Sequence, residues 1–383
     1  MCARNLAHNG RLIMKVALVH DYLIRFGGAE RVLLELSRMF PEAPIYTLLY
    51  DEAKMGEWFP GERVKSSFLQ KFPEFWRKRH KYLLPFLPAA PEAFDLRDFD
   101  LVISSSSSFA KGIITRPKNI HISYCHNPAR FLWDYSFEYL DQQNLGGGQQ
   151  LFVKFCLNYL RLWDRAASQR VDYFIANSKA TAARIKKYYR REAKVIYPPV
   201  EIERNFYEVS PRKLGEYFLI VSQLAPYKKI DVAIEAFNKL ELPLVIIGEG
   251  SQKDYLKKIT NKNIKILGWL SDSQIRQYYE NCVAFIFPGE DDFGIAAVEA
   301  MLCGKPVLAL KAGGALETVL PGMTGEFFEA PTPEVLAEGV RRLRENFNRY
   351  SPLVIRKWAE KFSTERFRRE IMAFIEKVGY NKK

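Results

Sequence analysis

The stretch "VAFIFPGEDDFGIAAVEAMLCGKPVLAL", residues 283–310, decides how this chain folds. An apolar run opens it and another, 307–310, closes it. Between them lie a turn, a cluster of carboxylates and a helix-type pattern that begins near Phe293. Short, continuously apolar runs separated by helices are strands of a parallel sheet covered on both faces. If the helix starts near Phe293, Asp291 lies in the loop before it and Glu299 about two turns in, at a rise of about 1.5 Å per residue. The two acids would then flank the orphan N–H groups of Phe293, Gly294 and Ile295 at the helix start.

The same alternation extends outward in both directions. Towards the C-terminal half, "YFLIVSQ", "LPLVIIGEG" and "IKILGW" are each followed by a helix or turn signal. Towards the N-terminus, "KVALVH" (15–20), "DLVISSSS" (100–107), "IHISYCH" (120–126) and "VDYFIANS" (171–178) read as strands. "AERVLLELSRMF" (29–40) and "KATAARIKKYY" (179–189) have helical spacing. The pattern restarts after a Pro-containing, strand-poor stretch at 195–217, which reads as a linker. The expected fold class is α/β: two Rossmann-like, doubly wound parallel-sheet domains, with ligands at the strand carboxyl ends and a cleft between the domains. The expected divisions are a tail at 1–14, a first domain at 15–200, a second at 201–363, and a C-terminal helix at 364–383 that crosses back to the first.

Totals agree with a soluble two-domain chain. It has 383 residues, 48% hydrophobic and 26% charged, and a formal charge of +13. The positive balance favours anionic partners such as nucleotide phosphates, nucleic acid or an anionic membrane surface. The basic residues are spread over many helices with no readable nucleic-acid module, so no nucleic-acid partner is expected. Five widely spaced cysteines without a CxxC pair give no disulfide framework or zinc site, which fits a cytoplasmic setting. No apolar run is long enough to span a membrane, and the N-terminus lacks the apolar core of a signal peptide.

Several strand-end turns could meet a ligand. Gly27 and Gly28 open the helix after the first strand, where backbone N–H groups can approach an anion; a tight turn is the plain alternative. Because the pattern is not GxGxxG, a nicotinamide cofactor is disfavoured. In "SQLAPYKKIDVAIEAF" (222–237), Lys228 and Lys229 follow a strand and could neutralise a phosphate, or could be solvated surface lysines. A helix dipole explains an acid such as Asp291 cheaply, but not Glu299 among apolar residues. As an acceptor-only group, Glu299 could bind a ribose diol. "FLQKFPEFWRKRHKYLLPFLP" (68–88) interleaves aromatic and basic side chains, which would suit a membrane interface or an ordinary packed helix.

Taken jointly, "DDFGIAAVEAMLCGKPVLAL", "GGALETV", "HDYLIRFGGAERVLLEL", "YCHNPARFLWD" and "VSQLAPYKKIDVAIEAF" resemble the retaining glycosyltransferases of family 4, the group 1 enzymes of GT-B fold. "YCHNPARFLWDYSFEYL" is most similar to a branch that includes mannosyltransferases building O-antigen and exopolysaccharide. The resemblance implies a nucleotide-sugar donor, GDP-mannose first and UDP-glucose or UDP-galactose second. It further implies a glycan or polyprenyl-diphosphate-linked acceptor, no metal and no other cofactor. By the same resemblance, Gly27 and Gly28 approach the diphosphate, His126 sits near the transferred sugar, and Lys228 stabilises the departing diphosphate. Asp291 and the backbone of Phe293, Gly294 and Ile295 hold sugar hydroxyls, Glu299 holds the ribose, and Glu317 is a further donor contact. The sequence departs from the family twice. Asp291 stands where the first acid is usually Glu, and Gln223 stands where many members have Arg, leaving Lys228 and Lys229 to carry more of the phosphate charge. These departures keep open a binding protein of the same fold without turnover.

Overall fold

A computed structural model describes residues 14–78, 80–141, 146–201 and 216–380, with the side chains of 78, 80–82 and 380 left out. The N-terminal tail except Met14, and most of the expected linker, lie outside these residues. Two compact units are present: residues up to Ile196 together with those from Ile371 on, and Tyr197–Glu370.

The first unit is built on β1 (Val16–Leu23), β2 (Ile45–Tyr50), β3 (Val64–Ser66), β4 (Leu101–Ser106), β5 (Ile120–Cys125), β6 (Tyr173–Ala176) and β7 (Ala193–Val195). They form one sheet in the order β3-β2-β1-β4-β5-β6-β7. Each neighbouring pair is parallel. The chain winds one way from β1 through β2 to β3, then returns to the other side of β1 with β4. The switch point is therefore between β1 and β4, where His20 stands beside Ser105. β1 runs three residues past the expected end at His20, carrying Asp21 to the carboxyl edge.

The second unit repeats the plan with β8 (Tyr217–Val221), β9 (Leu244–Ile247), β10 (Ile264–Leu267), β11 (Cys282–Phe287), β12 (Val307–Leu310) and β13 (Gly325–Phe328). The order is β10-β9-β8-β11-β12-β13, again parallel throughout. Its switch point lies between β8 and β11. The expected pair of doubly wound, Rossmann-like parallel sheets is thus what the chain forms. β9 and β12 are buried along their whole length, as their unbroken apolar sequence requires when helices cover both faces. The helix Ile230–Leu240 buries Ile230, Ala233, Ile234 and Phe237, an i, i+3, i+4, i+7 stripe that seats it on the sheet.

Among the described residues no helix is long and apolar enough to cross a membrane.

Candidate functional site

In the second unit, three strand-end loops stack backbone against backbone at the switch point, and glycines permit it. A Cβ on Gly289, in the loop after β11, would come within 2.7 Å of the Lys228 backbone in the loop after β8. A Cβ on Gly313, after β12, would come within 2.3 Å of the Asp291 carbonyl, and one on Gly314 within 2.3 Å of Phe293 Cα. Real Cβ atoms do not approach backbone so closely, so these positions accept no side chain without the loops separating. The Gly314 N–H donates to the Asp291 carbonyl at 2.9 Å and fixes the acidic loop.

This stacking brings Lys228 and Asp291 together: Lys228 Nζ donates to Asp291 Oδ2 in an ion pair. Lys228 closes a one-turn 3-10 segment, Pro226–Lys228, which places it just before the helix. Its side chain is 13% exposed and that of Asp291 is 25%, so both charges sit at the edge of solvent. Lys229 differs. It is exposed, takes a left-handed backbone (φ 53°) and serves as the N-cap of the helix Ile230–Leu240. Gln223 sits at the start of the same loop, its carbonyl accepting from the Ala225 N–H at 2.9 Å.

The helix after the acidic loop is Ile295–Leu302, so it begins two residues later than the sequence pattern suggests. Gly294 is its N-cap, with φ 88°, a left-handed conformation that favours glycine. A Cβ there would also strike the Phe287 ring at 2.8 Å. The later start puts Glu299 one turn into the helix rather than two. Its Oε2 accepts from the Tyr279 hydroxyl at 3.0 Å. Among the described residues, no hydrogen bond engages the N–H groups of Phe293, Gly294 or Ile295. They are the free donors expected where a helix begins. Glu317, in the short helix Ala315–Thr318, lies beside Tyr197. Burial first, and then this carboxylate, push the Tyr197 phenol up to about 12.

In the first unit, the switch point gathers histidines that are far apart in sequence. Ser105 Oγ lies 3.1 Å from His20 Nδ1 and 2.8 Å from His126 Nε2. His20 Nε2 lies 3.2 Å from Glu30 Oε1. A carboxylate only accepts, so His20 Nε2 carries the proton there. In the tautomer with the proton on Nε2, His20 Nδ1 accepts from the Ser105 hydroxyl, whose oxygen in turn accepts from His126 Nε2–H. That chain leaves His126 Nδ1 with a lone pair. Burial, and then the nearby His20, lower the His126 pKa to about 3, so the ring is neutral at neutral pH.

Asp21, one residue after His20, accepts four backbone N–H groups: Ser107 and Ser108 on Oδ2, Phe109 and Ala110 on Oδ1, at 2.6–2.9 Å. It stitches β1 to the turn after β4. Deeper in the unit, Lys111 pairs with Asp164, which also accepts from Trp133 Nε1 and the Tyr189 hydroxyl, both at 2.8 Å. Gly27 has extended backbone (φ −160°) and neither it nor Gly28 has positive φ. A left-handed turn is therefore not what these two glycines serve. A Cβ on Gly27 would sit 3.1 Å from Glu30 Oε2, close to the carboxylate that orients His20.

His126, Gly27 and Gly28 thus fall in the first unit, and the other site residues read from the sequence fall in the second. His20, Asp21, Ser105 and Tyr279 were not singled out from sequence. The only signals for the first three are a polar pair inside an apolar strand and a serine run, neither of which names a partner. Among the described residues no group of acids, histidines and cysteines is placed to hold a metal. Among the described residues, Cys125, Cys156, Cys282 and Cys303 form no disulfide.

Comparison with known proteins agrees with this architecture. Residues 26–204 match the model of Glycosyltransferase Family 4, and residues 202–354 match that of Glycosyl transferases group 1. An uncharacterized glycosyltransferase of Methanocaldococcus jannaschii is 25% identical over 343 residues, covering 88% of this chain and 90% of the relative. The alpha-1,3/1,6-mannosyltransferase ALG2 of Saccharomyces cerevisiae is 24% identical, covering 96% and 86%. The crystal structure of Anabaena HepE, in complex with UDP and glucose, superposes with a TM-score of 0.68 at 20% identity, over 95% of this chain and 100% of that one. With both halves matched and the two parallel sheets in place, the chain belongs to the GT-B glycosyltransferases, a family 4 domain followed by a group 1 domain.

Proposed function

We propose that this chain is a retaining, nucleotide-sugar-dependent hexosyltransferase acting on a glycan or lipid-linked glycan in cell-surface polysaccharide synthesis. The observation that carries this reading is the contact of Lys228 with Asp291 at the second switch point, beside the unengaged N–H groups of Phe293, Gly294 and Ile295. In the free protein each charge neutralises the other. On donor binding the pair re-partners: Lys228 turns to the diphosphate, and Asp291 accepts from sugar hydroxyls. The helix-start N–H groups share the anionic load. Lysine and N–H donors aimed at the leaving diphosphate supply charge stabilisation without a metal. Glu299 accepts from the ribose diol while Tyr279 holds its other oxygen. Gln223, Lys229 and Glu317 border the nucleotide. Gly27 and Gly28 let backbone approach the diphosphate, and His126 meets the transferred sugar. In the transfer, the bond from the anomeric carbon to the diphosphate oxygen breaks. The acceptor oxygen bonds to that carbon on the same face, and its proton passes to the leaving phosphate.

Mannose from GDP-mannose is the lead donor, supported by the motif resemblance and by the mannosyltransferase relative. UDP-glucose or UDP-galactose is the second reading, favoured by the UDP and glucose complex of a neighbour of the same fold. A lipid-linked acceptor would place the chain on the cytoplasmic face of a membrane, where exposed Phe75, Trp76 and Phe86 of the 68–88 segment would meet lipid. The test is a thermal-shift screen against GDP, UDP, ADP, dTDP and their sugar conjugates. A ligand at 100 times its Kd stabilises by about 2.7 kcal/mol. A shift with GDP and GDP-mannose alone supports the mannosyl reading, and a shift with UDP compounds replaces the donor. No shift with any nucleotide defeats the proposal, and a shift without turnover on any acceptor leaves a binding protein.

A further inference from the structure

The helix Gly147–Gln169 of the first unit has two apolar faces, although a globular helix ordinarily needs one. Its inner face buries Leu157 and Leu160 in a core cluster with Leu69, Leu83 and Leu87. Asp164, on the same face, is tied to Lys111. The second face looks away from that core. Leu151 is 71% exposed, Phe152 62%, Phe155 71%, Tyr159 49% and Leu162 67%. At about 100° per residue these five side chains fall within roughly 100° of arc, nearly opposite the buried stripe. Large aromatic and leucine side chains left in water along one continuous stripe mark an interaction surface.

Charge decides what covers it. Lys154, Arg161 and Arg165 follow one border of the stripe by the same helical arithmetic. Arg161 and Arg165 donate to the carbonyls of Leu132 and Tyr188, which orients them and leaves their charge uncompensated by those partners. The one acid of this helix, Asp164, is buried and neutralised by Lys111. The surface of the helix therefore offers an apolar stripe with a cationic margin and no carboxylate. A second copy packed antiparallel across a two-fold axis would bring that cationic margin against itself. A bilayer carrying anionic lipids complements both parts.

We propose that the outer face of Gly147–Gln169 is a docking surface for an anionic membrane, distinct from the 68–88 segment. The helix lies flat on the lipid, because its inner face is held by the core. Phe152, Phe155 and Leu151 enter the acyl boundary, and Lys154 and Arg165 meet lipid phosphates. This surface is independent of donor chemistry, so it stands or falls separately from the transferase reading.

The test is flotation of the full chain with vesicles of phosphatidylcholine alone and of phosphatidylcholine with about 30% phosphatidylglycerol. Binding to the mixed vesicles is expected, at least fivefold weaker on neutral ones and weaker in high salt, because the margin is screened. Leu151→Gln with Phe155→Gln should lower binding at least tenfold with an unchanged melting temperature, since both side chains are already in water. Lys154→Glu should lower it several-fold on mixed vesicles only. Phe75→Ser with Trp76→Ser should retain most of it. The proposal is overturned if the Leu151/Phe155 variant binds as wild type, or if the Phe75/Trp76 variant alone abolishes binding. It is also overturned if wild type ignores lipid while sedimentation shows a dimer that the Leu151/Phe155 variant loses. The nucleotide thermal shift of each variant is read in parallel, so a failure of the transferase reading shows there and not in flotation.

Discussion

The two sheets share one winding plan, yet their switch points handle polar groups in opposite ways. At the first, His20, Asp21, Ser105 and His126 are buried and bonded to one another or to backbone N–H groups. At the second, Lys228 and Asp291 form an ion pair across two loops at the edge of solvent. Burial removes or saturates charge, because an unpaired ion in low dielectric is costly. Partial exposure leaves charge available for exchange with a ligand. The first end can therefore offer oriented nitrogen and oxygen atoms, while the second can offer a cation and an anion.

The sharpest way to break this comparison is Lys228→Ala. If the second end works by charge, transfer should slow by about 10²–10³-fold, the size of losing one preorganised donor to developing charge. A steady-state assay on the donor identified by thermal shift reads it, and a fall below tenfold would mean that Lys228 does not carry the phosphate charge. Next in size is Asp21→Ala, which strands four N–H donors in the first unit. A loss of about 3 kcal/mol is expected, lowering Tm by roughly 6–12 °C. An unchanged melt would show that this end is not held together by its buried carboxylate.

The same contrast predicts a pH dependence. His121 and His126 both have folded pKa values lowered from 6.5 to about 3, chiefly by burial. Each stays neutral in the fold but gains a proton on unfolding below pH 6.5. Their contribution to stability is therefore full above that value and is lost as pH falls from 6.5 towards 3. Thermal melts between pH 7.5 and 4 should decline over this window, and His121→Phe should flatten part of the decline. A smaller effect is expected of Glu299→Ala, which removes one carboxylate and keeps the helix. Nucleotide affinity should fall about tenfold, near 1.4 kcal/mol, read by calorimetry. Tyr279→Phe should cost less, because it frees the carboxylate without removing it.

Much of this was legible in the chain. Continuous apolar runs such as 307–310 can only be interior strands, and the intervening helical spacing fixes a parallel order of winding. Lys228 and Asp291 stand out in the sequence because each sits where a strand pattern gives way to a helix pattern, and Glu299 because it is a carboxylate among apolar helix residues. The helix start was misplaced by two residues because Phe293 is apolar and continues the helical spacing. Only the left-handed Gly294 and its contact with the Phe287 ring delay the helix to Ile295. The second apolar face of Gly147–Gln169 was not legible either. Its sequence reads as a helix with apolar residues most of the way round, and nothing local says which of them the core will take.

The sequence by itself determined the alternation of strands and helices, the parallel character of both sheets, and the residue types at each strand end. Those follow from periodicity and backbone preference, which act over a few residues. Tertiary structure alone decided the pairings: Lys228 with Asp291 across 63 residues, and His20 with Ser105 across 85. It also decided which polar groups are buried neutral and which remain charged. Strand order sets both, because only the order of winding places one loop beside another and one side chain beneath a helix or in water.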